Sequence, residues 1–291
     1  MSRARPSRTL AGVAVAVAAM AALLAGCGSS SGSSITAPTV APAQTTHLNA
    51  FQPTGTVTPG KPVSMSFDIK LSTGKTLTQY KTGPGPHTGV HLIIVRDDLA
   101  YIIHQHPPIP PSGILHQSIT FPAPGPYHVL VDVYPNVPGT LPNFQLSRSI
   151  RVAGAYHPRK LPPFAPHVVV DGTHFHMQPF APLHAIQATF LHINVTDAQG
   201  RPVHFVPWFG ALAHAIFFEK GTLNYFHTHV CAPDAPNCGS LAGAPKISGS
   251  SAAPGKLTIG VLLPVPGTWR LFVQLKIHGR VVTAPFTLDV H

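Results

Sequence analysis

VHLIIVRDDLAYIIHQH, residues 90–106, and AHAIFFEKGTLNYFHTH, residues 213–229, are two versions of one unit. Each runs apolar, then briefly polar, then apolar again, and ends on histidines. Both fit H-x12-H-x-H: His91, His104 and His106 in the first, His214, His227 and His229 in the second. The flanks match as well. Gly74-Lys75 corresponds to Gly200-Arg201 upstream, and FPAPGPY (residues 121–127) to LPVPGTW (residues 263–269) downstream.

The segments around this unit read as strands. Val63, Met65, Phe67, Ile69 and Leu71 alternate with polar residues, the period of two that marks a half-buried strand. Trp269, Leu271, Val273, Leu275 and Ile277 repeat the pattern, as do Val129, Val131 and Val133. The 33 prolines and 25 glycines punctuate short segments, and no stretch carries a long helical period free of proline. The fold class is therefore all-β, two antiparallel β-sandwich repeats in tandem. The first is placed at residues 47–153 and the second at 167–291, joined by a stiff Pro-rich linker at 154–166. The residues from Cys231 to Pro254 are an insertion in the second copy.

The N-terminus indicates the compartment. Arg3, Arg5 and Arg8 precede an apolar run from Leu10 to Leu24, then Leu24-Ala25-Gly26-Cys27 and a Gly/Ser tract. The run is short and follows arginines, as in a signal peptide rather than a spanning helix. The boundary resembles a bacterial lipobox, which makes residues 1–26 the signal peptide and Cys27 the acylated first residue. Residues 27–46 form a flexible tether. The expected location is the extracytoplasmic face of the cell membrane, the membrane itself being one partner.

Charged residues make up 10% of the chain and hydrophobic residues 44%, which excludes a disordered protein and a long coiled coil. The formal charge is +10, and about +7 without the three signal-peptide arginines. That charge is scattered, so no nucleic-acid partner is expected. Nucleophile elbows, zinc-protease helices, phosphate loops and dinucleotide fingerprints are all missing from the sequence, so an enzyme is not expected. In an oxidising compartment, Cys231 and Cys238 are read as a local disulfide, with thiolate metal ligation as the alternative.

Histidine is the outlier, with 19 copies against 9 acidic residues. With a two-residue turn at Asp97-Asp98 and another at Lys220-Gly221, His91 would lie opposite His104, and His214 opposite His227. His106 and His229, two residues on, share those faces. Each hairpin is thus expected to hold its own ion through three imidazoles, copper first and zinc as the alternative. One difference separates the copies: Tyr101 precedes His104 by three residues and Tyr225 precedes His227 by two, which suggests a bulge in one hairpin. His174, His176 and Met177 form a weaker ligand set, two imidazoles beside a thioether. His128, Asp132, His184 and His192 read as ordinary satisfied polar residues. The competing account is a non-catalytic envelope scaffold in which the histidines have structural roles.

On the segments His91–Pro107 and His214–Val230, with the Pro-Gly-aromatic strand after each, the chain resembles actinobacterial secreted proteins and lipoproteins. Their duplicated modules are similar to YtkA-like and copper-carrier-like immunoglobulin-like domains. The resemblance implies an immunoglobulin-like sandwich and metal handling outside the cytoplasm as carrier, sink or sensor. It also implies envelope metal-handling proteins as partners. It carries over no ligand set. The Met-rich loops of copper carriers have no counterpart, since only Met65 and Met177 follow Cys27.

Overall fold

A computed structural model describes residues 46–83, 85–137, 142–231 and 249–291. Cys27, the signal peptide, the tether before residue 46 and Cys238 lie outside the described residues. The described residues hold fifteen strands and no helix, and every paired strand runs antiparallel to its neighbour. No helix among them is long and apolar enough to cross a membrane.

The first repeat places β1 (His47–Gln52), β2 (Pro62–Lys70) and β5 (Leu115–Thr120) in a sheet of order β1-β2-β5. Its second sheet takes β3 (Val90–Arg96), β4 (Ile102–Gln105), β6 (Gly125–Val133) and β7 (Phe144–Val152) in the order β4-β3-β6-β7. The second repeat copies this plan. Its histidine-bearing sheet, of order β12-β11-β14-β15, uses β11 (Ala211–Glu219), β12 (Tyr225–Cys231), β14 (Gly267–Ile277) and β15 (Arg280–Val290). Its other sheet, of order β13-β10-β9-β8, uses β8 (His167–Val170), β9 (Thr173–Met177), β10 (Thr189–Thr196) and β13 (Lys256–Val261). The chain therefore folds as two tandem immunoglobulin-like sandwiches, and residues 45–291 form one compact unit.

The period-two residues build the cores. Met65, Phe67 and Ile69 point inward with Val129, Val131 and Val133 in the first sandwich. Trp269, Leu271, Val273, Leu275 and Ile277 do so in the second. Tyr127 and Trp269 occupy matching positions and make the same bond: each donates to a carbonyl four residues back, Ala123 at 3.0 Å and Val265 at 3.2 Å.

β3 and β11 differ from the other strands, because almost every residue in each is buried. An antiparallel sheet with one wet face shows alternation, and uninterrupted burial means cover on both faces. On β3, Val90, Leu92 and Ile94 enter the first sandwich core, while Ile93 and Val95 face away from it. There they meet Ile216, Phe218 and Phe272 of the second repeat, with Leu99 and Leu130 completing the cluster. The two histidine-bearing sheets therefore pack against each other. The linker closes one side: the Arg159 backbone N–H donates to Asp98 at 2.8 Å, and Leu161 packs on the inter-sheet cluster.

The hairpins form, with a register different from the expected one. Ile93 faces His104 and His214 faces His229, which corrects the pairing of His91 with His104 and of His214 with His227. The loops span four residues, since Arg96 N–H bonds the Tyr101 carbonyl and Glu219 N–H bonds the Asn224 carbonyl. In the first loop Leu99 takes the left-handed conformation, φ 60°, and Arg96 grips Asp98 through two bonds of 2.6 and 2.8 Å. Asp98 is held by Arg96 and is not free to form a two-residue turn. A slip of two residues preserves strand faces, so the histidines still share one side. The register at the histidines is the same in both copies, and the expected irregularity falls in the second hairpin alone, between Ala211 and Ala213, where it leaves the histidine faces unchanged. Tyr101 sits opposite Arg96 and Tyr225 opposite Phe218, at unequal positions in equal hairpins.

Candidate metal centre

Because His91, Ile93 and Val95 alternate with the inward residues of β3, the histidine shares the face that meets the second repeat. The same holds for His214 with Ile216 and Phe218 on β11. Both triplets therefore lie in the seam between the sandwiches, where they merge into one cluster. The rings of His104 and His214 are 4.7 Å apart and those of His91 and His227 5.5 Å. His91 stacks on His106 at 3.8 Å.

Two sets of three nitrogens come within 4.8 Å of one another: His91, His104 and His227, and His214, His227 and His229. The first draws ligands from both repeats. His227 belongs to both sets, and His106 to neither. Two separate triplets, one per repeat, are thus replaced by overlapping triplets.

Local distances suit an ion. His214 Nδ1 lies 3.3 Å from His227 Nε2, and His104 Nε2 lies 3.1 Å from His106 Nε2. Nitrogens bound at 2.0–2.1 Å in tetrahedral geometry are about 3.3 Å apart. His214 Nε2 lies 3.0 Å from the Trp208 carbonyl and donates to it, which leaves Nδ1 bare and aimed at His227. Other nitrogens have no partner in hydrogen-bond geometry among the described residues: both of His91, Nδ1 of His104, Nδ1 of His227 and Nε2 of His229. Buried polar atoms are rarely left so, because each costs about 1–3 kcal/mol.

Electrostatics keeps the rings in the ligand form. Burial is the largest cause in every case. It pushes His91 down to about 3, against the pull of the Asp132 carboxylate. It pushes His214 down to about 4, against the Trp208 carbonyl. His104, His227 and His229 fall well below the ordinary histidine range through burial and then the charge of the histidines around them, His214 and His91 in each case. His106 falls by the same two causes. Neutral imidazole is the form that binds a metal.

A loop of the second repeat covers the cluster. Phe209 stacks flat on His106, centroids 3.8 Å apart and planes 7° apart, and Trp208 lies 5.4 Å from His104. Phe209 and Gly210 both have positive φ, 48° and 75°. A Cβ on Gly210 would stand 2.3 Å from the Gly85 carbonyl carbon, so only glycine lets this loop meet the first repeat's 85–89 loop.

Two residues of the cluster escaped the sequence reading. His87 lies on that 85–89 loop, its ring 4.9 Å from that of His229. Gly210 holds the matching position of the second repeat, so the duplication gave no cue. Asp132 looks like an ordinary polar residue in the sequence. It is buried beside His91 in the β3–β6 register, and its counterpart beside His214 is Gln274.

The weaker set does not assemble. Met177 is 1% exposed in the second core, whereas His174 and His176 point outward. Period two puts a residue and its neighbour on opposite faces, so the thioether cannot join them. His176 stacks on His167 at 4.0 Å instead. His192 lies 3.1 Å from the Thr258 hydroxyl, and His184 lies 5.9 Å from the ring of His291.

Residues 168–291 match the model of a domain of unknown function, DUF8832. No curated protein matches the chain. Among solved structures, the chain is similar to a Salmonella alpha-2-macroglobulin reacted with methylamine, at 13% identity and TM-score 0.24. That match covers 86% of this chain and 15% of the macroglobulin. Invasin, a bacterial integrin-binding protein, is similar at 15% identity and TM-score 0.21, over 85% of this chain and 40% of invasin. Domains 5–6 of the S-layer protein SbsC are similar at 12% identity and TM-score 0.23, over 85% and 98% of the two chains.

Proposed function

We propose that the protein is a metal-binding protein of the cell envelope whose ion is held in the seam between its two sandwiches. The ion is copper by ligand chemistry, with zinc as the alternative, and the role is carrier, sink or sensor without catalysis. The observation that carries this reading is a set of buried, neutral imidazoles with unpartnered nitrogens, gathered where two sheets meet. A structural role would leave those nitrogens bonded. Lipidation at Cys27 and a Cys231–Cys238 disulfide belong to the same reading, as do envelope metal-handling partners. Fractionation of cells carrying Cys27→Ser and intact mass without reduction test the two cysteine assignments. Unchanged membrane association, or two free thiols, would remove them.

His227 gives the sharpest test. Both sets of three need it, so the protein is expected to bind one copper(II) or zinc(II) ion tightly. Calorimetric titration of His227→Ala should show no tight binding, and His291→Ala no change. Two ions in the wild type, with one surviving in His227→Ala, would restore independent sites. No binding in the wild type would favour the scaffold account.

A further inference from the structure

We propose that Asp132 is the positioning carboxylate of this centre: it holds His227 through Nδ1, so that Nε2 is the ligating atom, and its negative charge offsets that of the ion. The inference rests on the metal-binding reading above.

Asp132 sits on β6 of the first repeat and is 7% exposed. Its Oδ1 accepts from the Gln145 amide at 2.8 Å, and its Oδ2 accepts from the Tyr225 hydroxyl at 2.7 Å. Tyr225 belongs to the second repeat and lies two residues before His227 on the same face of β12. The carboxylate is thus bonded from both repeats, and the oxygen that Tyr225 occupies is the one nearest the ligand. Oδ2 is 3.7 Å from His227 Nδ1, about 0.8 Å beyond a normal N–H···O bond.

The alternative roles of Asp132 fall short. A carboxylate kept only to bond Gln145 and Tyr225 could be replaced by a neutral amide with the Gln145 amide reversed, and burial pushes its pKa up. The second repeat has such an amide, Gln274, at the matching position. Charge stands on one side only, beside His91 in the strand register and 3.7 Å from Nδ1 of His227, the ligand common to both sets. His214, the neighbouring ligand, has its outer nitrogen fixed by the Trp208 carbonyl. His227 lacks an equivalent unless Asp132 provides it. With Nδ1–H turned to the carboxylate, Nε2 is bare and faces His214 Nδ1 across 3.3 Å. Ligand histidines commonly donate their second N–H to a carboxylate, which fixes the tautomer and strengthens the ligand. A cation among neutral imidazoles also gains from a nearby buried negative charge.

The test uses the purified full chain in detergent, titrated with zinc(II) and copper(II). Asp132→Asn keeps the shape and an acceptor for Tyr225 but removes the charge. We expect zinc affinity to fall about 10–100-fold, with the one-ion stoichiometry kept and the copper(II) electron paramagnetic spectrum altered. Tyr225→Phe frees Oδ2 from a competing donor, so affinity should hold or rise. Affinity within twofold of wild type in Asp132→Asn, or a tenfold loss in Tyr225→Phe, would overturn the proposal. If Asp132→Asn does not fold, Tyr225→Phe alone decides. Absence of binding in the wild type would instead overturn the metal-binding reading itself.

Discussion

At the scale of single residues, His91 shows the conflict between stability and function most plainly. It lies on a strand buried on both faces, and neither ring nitrogen has a partner in hydrogen-bond geometry among the described residues. Leucine at this position would give up only the contact with the Pro86 backbone and would remove two desolvated polar atoms. His91→Leu should therefore stabilise the metal-free protein, by about 1–3 kcal/mol on the usual cost of an unsatisfied buried group. It should also weaken metal binding. Denaturant unfolding of the metal-free chain, paired with zinc titration, checks both halves. A destabilised variant would mean that the imidazole is bonded in solution and serves structure. The sequence named His91 as a ligand but gave no sign of Asp132, because a lone acid in a strand looks the same whether it faces water or an imidazole.

At the scale of elements, the hairpins were legible in type and in face, but not in register. The alternation and the repeated histidine spacing require two strands with the imidazoles on one side. The turn length depends on contacts that spacing does not encode. Arg96 holds Asp98 within the first loop, and Leu99 and Leu223 adopt φ of 60° at positions that carry no glycine, although Gly221 at φ 96° marks the second loop. Each loop thus takes four residues, and His104 moves from opposite His91 to opposite Ile93. The shift is even, so the choice of face survives it. The weaker set failed for the same periodic reason, since Met177 cannot share a face with His176.

At the scale of the whole molecule, merging the triplets makes stability depend on pH. The unfolded histidines take up protons near 6.5. In the native cluster His91 resists until about 3 and His214 until about 4. Between these values the unfolded state binds more protons, so stability is present above about 6.5 and is lost as pH falls below it. His214 alone corresponds to about 3 kcal/mol across that window. The metal-free protein should lose stability steeply between pH 6.5 and 4.5 when followed by denaturant unfolding, and saturating zinc should add stability throughout, so that acid unfolding occurs at a lower pH. A flat profile would show that the imidazoles are hydrated rather than buried.

The sequence alone determined that this is an all-β chain of two copies, and that six histidines share the strand faces on which they are found. Those properties follow from period and spacing, which are local. Only the tertiary structure decided that the two histidine faces meet, that His227 serves both sets, and that His87 and Asp132 join them. Packing one sheet on another brings together residues more than 100 positions apart, and neither repeat's own pattern specifies what covers its outer face. The near-continuous apolar runs of β3 and β11 carried the one available hint, because a strand with no polar side has both faces covered.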